Sequence, residues 1–295
     1  MHLRARLAHL RIRPQRPHLL VLALHQLLPE WQNPEELPFL PFQPLTVAQL
    51  DKLLAALLAN GYRPADPDRL AQLDARHSHL LITFDDGYAN THLALPVLER
   101  HGLSALYCVN TAHCLQQKAW WWDVVWRATR DMGWPIKAIY RHIERLKQLP
   151  PQEVEEALLE QYGPEALQPV GELDRPLTAT ELQQLDAHPL AWLGLHGHSH
   201  QHLHHLDAIA CQAELHENWQ TLTGLGTQPL PILAYPNGDY SQPATQGNMV
   251  QFAFTTRAGI NRLNRIDAQR YRLRRVMPTG LRSLETQLRY YRSFS

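Results

Sequence analysis

The stretch Leu80-Leu81-Ile82-Thr83-Phe84-Asp85-Asp86-Gly87-Tyr88 is an apolar run that ends in two adjacent carboxylates and a glycine. Its aliphatic, β-branched and aromatic residues predict a short buried strand over residues 80–84. Asp85 and Asp86 then fall at the end of this strand, where Gly87 permits a turn because glycine tolerates positive φ. Neighbouring carboxylates in a cleft repel each other unless a cation compensates them. The stretch therefore predicts either acids that act with a metal or a solvated Asp-Asp-Gly turn.

A second apolar run, Trp192–Leu195, is followed by a series of histidines. His196 and His200 are four residues apart, so one helical turn or a tight loop would bring them together. Two imidazoles and one carboxylate leave a coordination position open for water, as in catalytic zinc sites. The alternative is that histidine is simply frequent, because the chain contains 18 of them. The position of the pair directly after an apolar run, matched to the Asp-Asp strand end, favours the metal site.

Three motifs together resemble those of the polysaccharide deacetylase family, the NodB-like family 4 carbohydrate esterases. Thr83–Gly87 is similar to the first family motif. His196–His200 is similar to the second, a His-x-x-x-His with Ser or Thr before the last histidine. Leu233–Tyr240 resembles a Tyr-Pro-x-Gly-Asp-Tyr loop, and the likeness covers roughly residues 17 to 280. The resemblance implies an α/β fold, a distorted (β/α) barrel of the NodB-homology type rather than an open doubly wound sheet.

The resemblance also implies a hydrolase that removes an N-acyl group, acetyl or formyl, from an amino sugar in a glycan or glycan precursor. Asp86, His196 and His200 are then expected to hold one divalent metal ion, with zinc as the expected ion. Asp85 is expected to act as the general base. The residues expected to bind the substrate are Tyr235, Pro236, Asn237, Asp239, Trp122, Arg257 and Arg275.

Two departures from the family pattern concern the support of the base. Family members often have arginine two residues before the proline of the third motif, where this chain has Ala234. They often have an aromatic residue after that proline, where this chain has Asn237. Arg257 and Arg275 are both candidates to replace the missing arginine in orienting Asp85.

A third departure leaves the general acid open. Many members supply an acid histidine from a Leu-x-His near the C-terminus, and the corresponding stretch here is Leu273–Arg275, without histidine. His198 and His202 are close enough in sequence to be considered for this role. His25, at the end of the first predicted strand, either borders the cleft or is a buried structural residue.

Two other functions remain as alternatives. A catalytically silent glycan-binding protein on the same fold would explain the missing arginine and histidine. A metal-dependent amidase acting on a non-sugar amide would use the same four residues. The intact Asp85, Asp86, His196 and His200 set argues against the silent binding protein, because a binding module needs no open metal site.

The composition is that of a globular enzyme rather than of a disordered or nucleic-acid-binding chain. The 295 residues are 44% hydrophobic and 19% charged, so a buried core is expected. Lys+Arg and Asp+Glu are each 28, and 28 − 28 leaves no net charge, which argues against a nucleic-acid partner. We predict a single domain over residues 1–295 with a helical insertion at about 115–186, where the strand–helix alternation breaks.

The cysteines and the N-terminus predict a cytoplasmic location. Three cysteines, Cys108, Cys114 and Cys211, fit a reducing compartment without a disulfide framework. The basic segment Met1–Arg16 precedes an apolar run too short for a membrane span and lacks a cleavage site, so we expect no signal peptide. Peripheral contact of these arginines with an anionic membrane surface is the alternative.

The remaining pattern predicts strands at 18–25, 105–109, 231–235 and 251–257, a last core segment at 271–276, and helices at 47–59, 91–101, 176–186, 208–222 and 281–291. Helical patterns at 120–130, 136–149 and 154–162 fill the insertion.

Trp120–Trp122 are three consecutive tryptophans that cannot all face one core. An exposed indole would offer a face on which a sugar ring packs, but we favour the interpretation that the three hold the inserted helices against the barrel.

Overall fold

The protein was analysed as a computed structural model, which describes residues 16–294. The arginines predicted to form a basic lead-in, apart from Arg16, lie outside this range. The strands of the described residues are β1 His18–Leu24, β2 Arg63–Pro64, β3 His79–Phe84, β4 Ala105–Val109, β5 Ala191–Leu195, β6 Ile232–Ala234, β7 Phe252–Phe254 and β8 Asn261–Arg262.

The strands form one mixed sheet in the order β7-β6-β5-β4-β3-β1-β8, and β2 also pairs with β3. All neighbours are parallel except β8, which runs antiparallel to β1. Residues 270–276 connect the two ends of this path. Leu273 bridges to Phe254 of β7, and Val276 bridges to Leu22 of β1. The predicted distorted (β/α) barrel is thus confirmed, and the predicted last core segment closes it through isolated bridges instead of a regular strand.

The strands are buried on both faces, as parallel strands covered by helices must be. Leu19, Val21 and Leu81 belong to a cluster made largely of strand residues, the barrel interior. The alternate residues Leu20 and Ile82 pack instead with the surrounding helices. Because side chains alternate along a strand, Thr83 and Asp85 continue the inward-facing series that Leu81 begins. The same alternation along the closing segment gives Leu273 and Arg275 one direction, opposite to that of Arg272 and Arg274.

The helices surround this sheet. They are α1 Val47–Ala59, α2 Leu95–His101, α3 Thr111–Gln116, α4 Trp121–Asp131, α5 Ile136–Leu146, α6 Pro151–Tyr162, α7 Ala179–Asp186, α8 Ala208–Gly224 and α9 Leu284–Arg292. Thr46 and Thr178 begin α1 and α7 with complete capping boxes, which satisfy backbone N–H groups of the first turn.

The helix predicted at 91–101 is two elements. Residues Ala89–Ala94 form a 3-10 helix, and the α-helix begins only at Leu95. Pro96 explains the division, because proline is tolerated in the first turn of an α-helix but not in its interior.

The helical insertion has its own apolar cluster, built from α4, α5 and α6 with Leu40 and Tyr88. Trp120, Trp121 and Trp122 are 0%, 3% and 6% exposed, so the alternative of an exposed indole is not observed. α4 is covered by residues on several sides, so consecutive indoles find apolar contacts in different directions. The three tryptophans therefore hold the insertion against the barrel.

Two further features concern the thiols and the length of the helices. Cys108, Cys114 and Cys211 are buried free thiols. Within residues 16–294, no helix combines the length and the apolar character needed to cross a membrane.

Candidate active site

A cavity of about 310 Å³ opens at the carboxyl ends of β1, β3, β5 and β6. Its polar lining comes from the residues that directly follow these strands: His25, Asp85, Asp86, His196, Tyr235 and Asn237. Parallel strands present their carboxyl ends at one edge, so distant parts of the sequence meet there. His200, Trp122, Phe42 and Lys147 complete the walls.

Asp85 is held by a buried arginine. Arg275 donates to both carboxylate oxygens, with Nη1 to Oδ1 at 2.7 Å and Nη2 to Oδ2 at 2.6 Å. Its remaining donors bind the Thr83 hydroxyl at 3.1 Å and the Thr255 carbonyl at 3.1 Å. Of the two arginines considered at Asp85, the structure brings Arg275 to it, in the planar bidentate geometry that guanidinium and carboxylate favour.

Asp86 turns away from Asp85 toward the histidines. Its φ of 72° is left-handed, so its side chain leaves the alternation of β3. Oδ1 lies 3.1 Å from Nε2 of His196 and 3.4 Å from Nε2 of His200. His200 also has a left-handed backbone, with φ of 58°. The tight turn, and not a helical turn, therefore brings the two imidazoles to one oxygen.

The donor chemistry of this trio fits a divalent cation. One ligand atom from each residue lies within 4.8 Å of the other two. Nδ1 of His196 is 2.7 Å from the Ala234 carbonyl, which can only accept, so Nδ1 carries the proton and Nε2 of the neutral ring presents a lone pair. A lone pair facing a carboxylate oxygen at this distance requires a proton or a cation between them. The three residues therefore form a group that can hold a metal ion, and its outer hydrogen bond fixes the ring as in known sites.

Electrostatics keep the acids ionised. Burial acts to raise the pKa of Asp85, but the charge of Arg275 outweighs it and holds the pKa below its ordinary value. Burial likewise opposes ionisation of Asp86, whose pKa is nevertheless held well below its ordinary value by its close contacts with the imidazoles of His196 and His200. Burial lowers the pKa of both imidazoles and Asp86 raises it; the balance leaves His200 below and His196 above the ordinary value.

Two buried asparagines, which the sequence did not single out, hold the histidine loop. Asn218 of α8 accepts from the His196 backbone N–H at 3.1 Å and donates to the Val109 carbonyl at 3.0 Å. Asn110 donates to the His196 carbonyl at 2.6 Å. A single asparagine after a strand or within a helix is not part of any recognisable sequence motif. The support that Asn110 and Asn218 give to the histidine loop is therefore visible only in the structure.

His25 lies in the cavity wall, so the alternative that it borders the cleft is the observed one. Gln43 donates through Nε2 to the carbonyls of Ala23 and Pro278, at 2.9 and 3.2 Å, which fixes the orientation of its amide. Its Oε1 is then the atom that faces Nδ1 of His25 at 2.7 Å. Nδ1 must donate to this oxygen, which leaves Nε2 of His25 as the ring nitrogen available for proton exchange.

Trp122 packs its ring against His200, with ring centroids 4.9 Å apart. A chain of hydrogen bonds fixes it: the indole N–H donates to the Tyr88 hydroxyl at 3.0 Å, and that hydroxyl donates to Asp123 at 2.7 Å. Asp123 also accepts from the backbone N–H of Leu40 at 2.7 Å. The insertion thereby supplies one wall of the cavity.

Several other candidate residues lie elsewhere. Pro236 is buried in the 3-10 turn Pro236–Gly238 and does not line the cavity. Asp239 and Arg257 line a separate, neighbouring cavity. Both were expected to bind the substrate beside the catalytic residues. Instead, the chain turns before each of them, so their side chains lie on the side of the loop opposite to the catalytic cavity.

The two histidines considered as the acid are also directed away from the cavity. His198 contacts Thr111 at 2.9 Å and Glu217 at 3.3 Å. His202 contacts the Asn237 amide at 2.8 Å. Neither lines the cavity, because the left-handed backbones of Gly197 and His200 break the regular alternation of side chains along the histidine loop.

Comparison with known proteins identifies one family. The family model described as polysaccharide deacetylase matches residues 73–249, which include the Asp-Asp strand end, the histidine loop and the Tyr-Pro loop. No curated protein sequence matches the chain.

Solved structures with this fold come from several bacteria. The Streptococcus pyogenes deacetylase PplD in complex with acetate is 16% identical, with 94% of this chain and 99% of that chain covered at a TM-score of 0.60. BC0361, a polysaccharide deacetylase from Bacillus cereus, is 15% identical, with 93% of this chain and 69% of that chain covered at a TM-score of 0.61. IcaB from Ammonifex degensii is 18% identical, with 95% of this chain and 99% of that chain covered at a TM-score of 0.59. At these identities the likeness shows the shared fold.

Proposed function

The chain belongs to the polysaccharide deacetylase family, and we propose that it is a metal-dependent hydrolase that removes the N-acetyl group from an amino sugar of a glycan or glycan precursor. The observation that carries this proposal is the convergence of Asp86, His196 and His200 on one point beside a second, arginine-held carboxylate. A glycan-binding site would not need both features in one small cavity.

Zinc is the metal we propose for this trio. Two imidazole nitrogens and one carboxylate oxygen leave coordination positions open, as catalytic zinc sites do. When bound, the ion would polarise the amide carbonyl and lower the pKa of the attacking water. The remaining steps depend on side chains of the chain itself.

Asp85 acts as the general base. Its carboxylate adjoins Asp86 at the cavity floor and is kept ionised by Arg275. It accepts the proton of the water as the carbon–oxygen bond forms. Arg275 is a positioning residue in this scheme, because both of its terminal nitrogens are already bonded to Asp85 and it has no free face toward the substrate.

The oxyanion would be met by the backbone N–H of Asn237. In the Tyr235–Asn237 turn, Pro236 has no N–H and the N–H of Tyr235 donates to the Phe254 carbonyl at 3.1 Å. Asn237 has a left-handed φ of 59° and lines the cavity. A preorganised backbone donor of this kind stabilises charge that develops in the transition state.

His25 is the general acid in this proposal. It lines the cavity at the end of β1, the strand beside the one that ends at Asp85, and Gln43 holds its Nδ1–H so that Nε2 can carry and release a proton. Protonation of the leaving nitrogen breaks the carbon–nitrogen bond and frees the amino sugar. His25 thus takes the role for which the C-terminal stretch, lacking histidine, offers no candidate.

The test is release of acetate from a panel of N-acetylated sugars and oligosaccharides, with N-acetylated amino acids and cyclic amides as non-sugar controls. We expect release from one or more of the sugars, loss of release with a chelator, and recovery on adding Zn²⁺. Release from the non-sugar amides alone would establish the amidase alternative. Binding of oligosaccharide without release of acetate or formate would establish the silent glycan-binding alternative.

A further inference from the structure

A second, larger cavity adjoins the catalytic one and is lined by arginines. It measures about 690 Å³ and includes Arg257, Arg272 and Arg274. A further cavity of about 340 Å³ shares Gln269 and Arg274 with it and adds Arg262 and Arg265. We call these two cavities the arginine groove. Among residues 16–294, Asp239 is the only carboxylate in their lining, although the chain as a whole carries no net charge.

The guanidinium groups of the groove are available for a ligand. Within residues 16–294, none of the five forms an ion pair or a hydrogen bond through its guanidinium. In contrast, the inward-facing Arg275 of the same segment has its charge matched by Asp85. Five unmatched cations on one face repel one another unless an anion binds among them.

Packing holds two of these arginines in place. Arg272 stacks on Tyr240, with its guanidinium carbon 3.9 Å from the ring centroid. The side chain of Arg274 lies over Gly259, where an added Cβ would come within 2.8 Å of its Cδ. Stacking and a glycine platform reduce the conformational freedom that an exposed arginine would lose on binding a ligand.

The groove and the catalytic cavity lie on the two sides of the same loops. Asn237 and Gly238 line the catalytic cavity, whereas the next two residues, Asp239 and Tyr240, line the groove. Thr256 lines the catalytic cavity and its neighbour Arg257 lines the groove. A ligand long enough to pass over these loops would occupy both.

We infer that the arginine groove binds a phosphoryl group carried by the same glycan whose N-acylated sugar enters the catalytic cavity. The inference rests on the proposed function for the identity of that glycan. A phosphoryl group fits better than a carboxylate, because one bidentate arginine saturates a carboxylate, as Arg275 does with Asp85. The additional oxygens and charge of a phosphodiester or diphosphate can meet several guanidiniums at once.

The first experiment measures binding of inorganic pyrophosphate by calorimetry at low ionic strength. Wild type should bind, and Arg272→Gln/Arg274→Gln should weaken binding by at least about ten-fold for each charge-assisted hydrogen bond that the substitutions remove. The matched control is Arg141→Gln/Arg145→Gln on α5, which removes the same charge from two arginines outside the groove. Equal binding by all three proteins, or no binding by wild type, would overturn the inference.

The second experiment compares three N-acetylated oligosaccharides: one neutral, one carrying an internal phosphodiester and one carrying a terminal diphosphate. The double variant at 272 and 274 should raise KM for the phosphorylated oligomers alone and leave kcat unchanged. The larger KM shift of the two phosphorylated oligomers identifies the source of the phosphoryl group. A KM shift equal for neutral and phosphorylated oligomers would overturn the link to the substrate.

Two further outcomes separate the inference from the proposed function and from a membrane partner. If no oligomer is hydrolysed while pyrophosphate binding still depends on Arg272 and Arg274, the proposed function fails and the phosphoryl site is supported. If the double variant loses binding to phosphatidylglycerol vesicles and wild type does not bind pyrophosphate, the groove is a membrane contact and the inference is wrong.

Discussion

At the scale of single residues, the site depends on how two adjacent aspartates are separated. Asp85 continues the inward alternation of β3 and meets Arg275, whereas the left-handed backbone of Asp86 turns it to the histidines. The sequence predicted these acids and the two histidines as a set, because each follows an apolar run. It could not choose between Arg257 and Arg275, since the choice depends on which way the closing segment presents its side chains.

The first prediction concerns the base. Asp85→Asn removes the proton acceptor but keeps the shape of the side chain, so kcat should fall about 10²- to 10⁴-fold. Metal content, measured by mass spectrometry of the dialysed protein, should remain that of wild type, while His196→Ala should lose the metal. A nearly unchanged kcat for Asp85→Asn would show that another group takes the proton.

The second prediction concerns the arginine that holds the base. Arg275→Gln leaves Asp85 buried without its counter-charge, which should cost about 3–5 kcal/mol in the free energy of unfolding. In wild type the pKa of Asp85 is depressed, so its stabilisation is present above its unfolded pKa and is lost as pH falls through the folded one. In the variant, burial raises this pKa, and the acid limb of the kcat/KM profile should move to higher pH.

A double variant tests whether that effect comes from the pair. Asp85→Asn/Arg275→Gln removes both charges and should recover much of the stability that Arg275→Gln loses, as measured by denaturant unfolding. Independent, additive losses would mean that Arg275 supports the fold through its contacts with Thr83 and Thr255 and not through Asp85.

At the scale of elements, most strands and helices could be predicted from period and capping. Thr46 and Thr178 cap two of the predicted helices, those at 47–59 and 176–186. β2 and β8 could not be predicted, because each is only two residues long and two residues show no hydrophobic period. They are strands because they hydrogen-bond to neighbouring strands. Helical patterns predicted α4, α5 and α6, but how the three tryptophans are buried could not be predicted, since a second apolar cluster is a property of several helices packed together.

The third prediction belongs to α8, which supports the histidine loop through Asn218. Asn218→Ala leaves the buried His196 N–H and Val109 carbonyl without partners, at about 1–3 kcal/mol each. The loop should also hold the metal about 10- to 100-fold more weakly, as happens when a hydrogen bond that supports a metal ligand is removed. Metal affinity by competition with a chromogenic chelator checks this, and Thr223→Ala, an exposed change on the same helix, is the control.

At the scale of the whole molecule, the barrel joins residues 110 positions apart at Asp86 and His196. The fold class could be anticipated from the alternation of strands and helices together with the family resemblance. The closure could not, because residues 270–276 pair with β7 and β1 through bridges that leave no period in the sequence. The orientation of the loops, which places Asp239 and Arg257 in the arginine groove, is likewise a result of that closure.

The fourth prediction follows from this long-range junction. A metal ion that binds only the folded chain stabilises it by about 2.7 kcal/mol when its concentration is 100 times the Kd. Chelation should therefore lower Tm by several degrees, at about 2–4 °C per kcal/mol for a domain of this general size. Asp86→Asn should show no such shift in differential scanning fluorimetry, and a shift as large as that of wild type would place the ion elsewhere.

Left-handed backbones at Asp86, His200 and Asn237 have an evolutionary consequence. Such a backbone costs a residue with a β-carbon up to about 1–2 kcal/mol that glycine would avoid, and less for Asp and Asn, whose short side chains tolerate it. In a descendant that is no longer selected for turnover, substitution by glycine at these three positions should therefore raise thermal stability while activity is lost. Laboratory selection for thermal endurance alone should follow the same path, so that the most robust survivors would be the inactive ones.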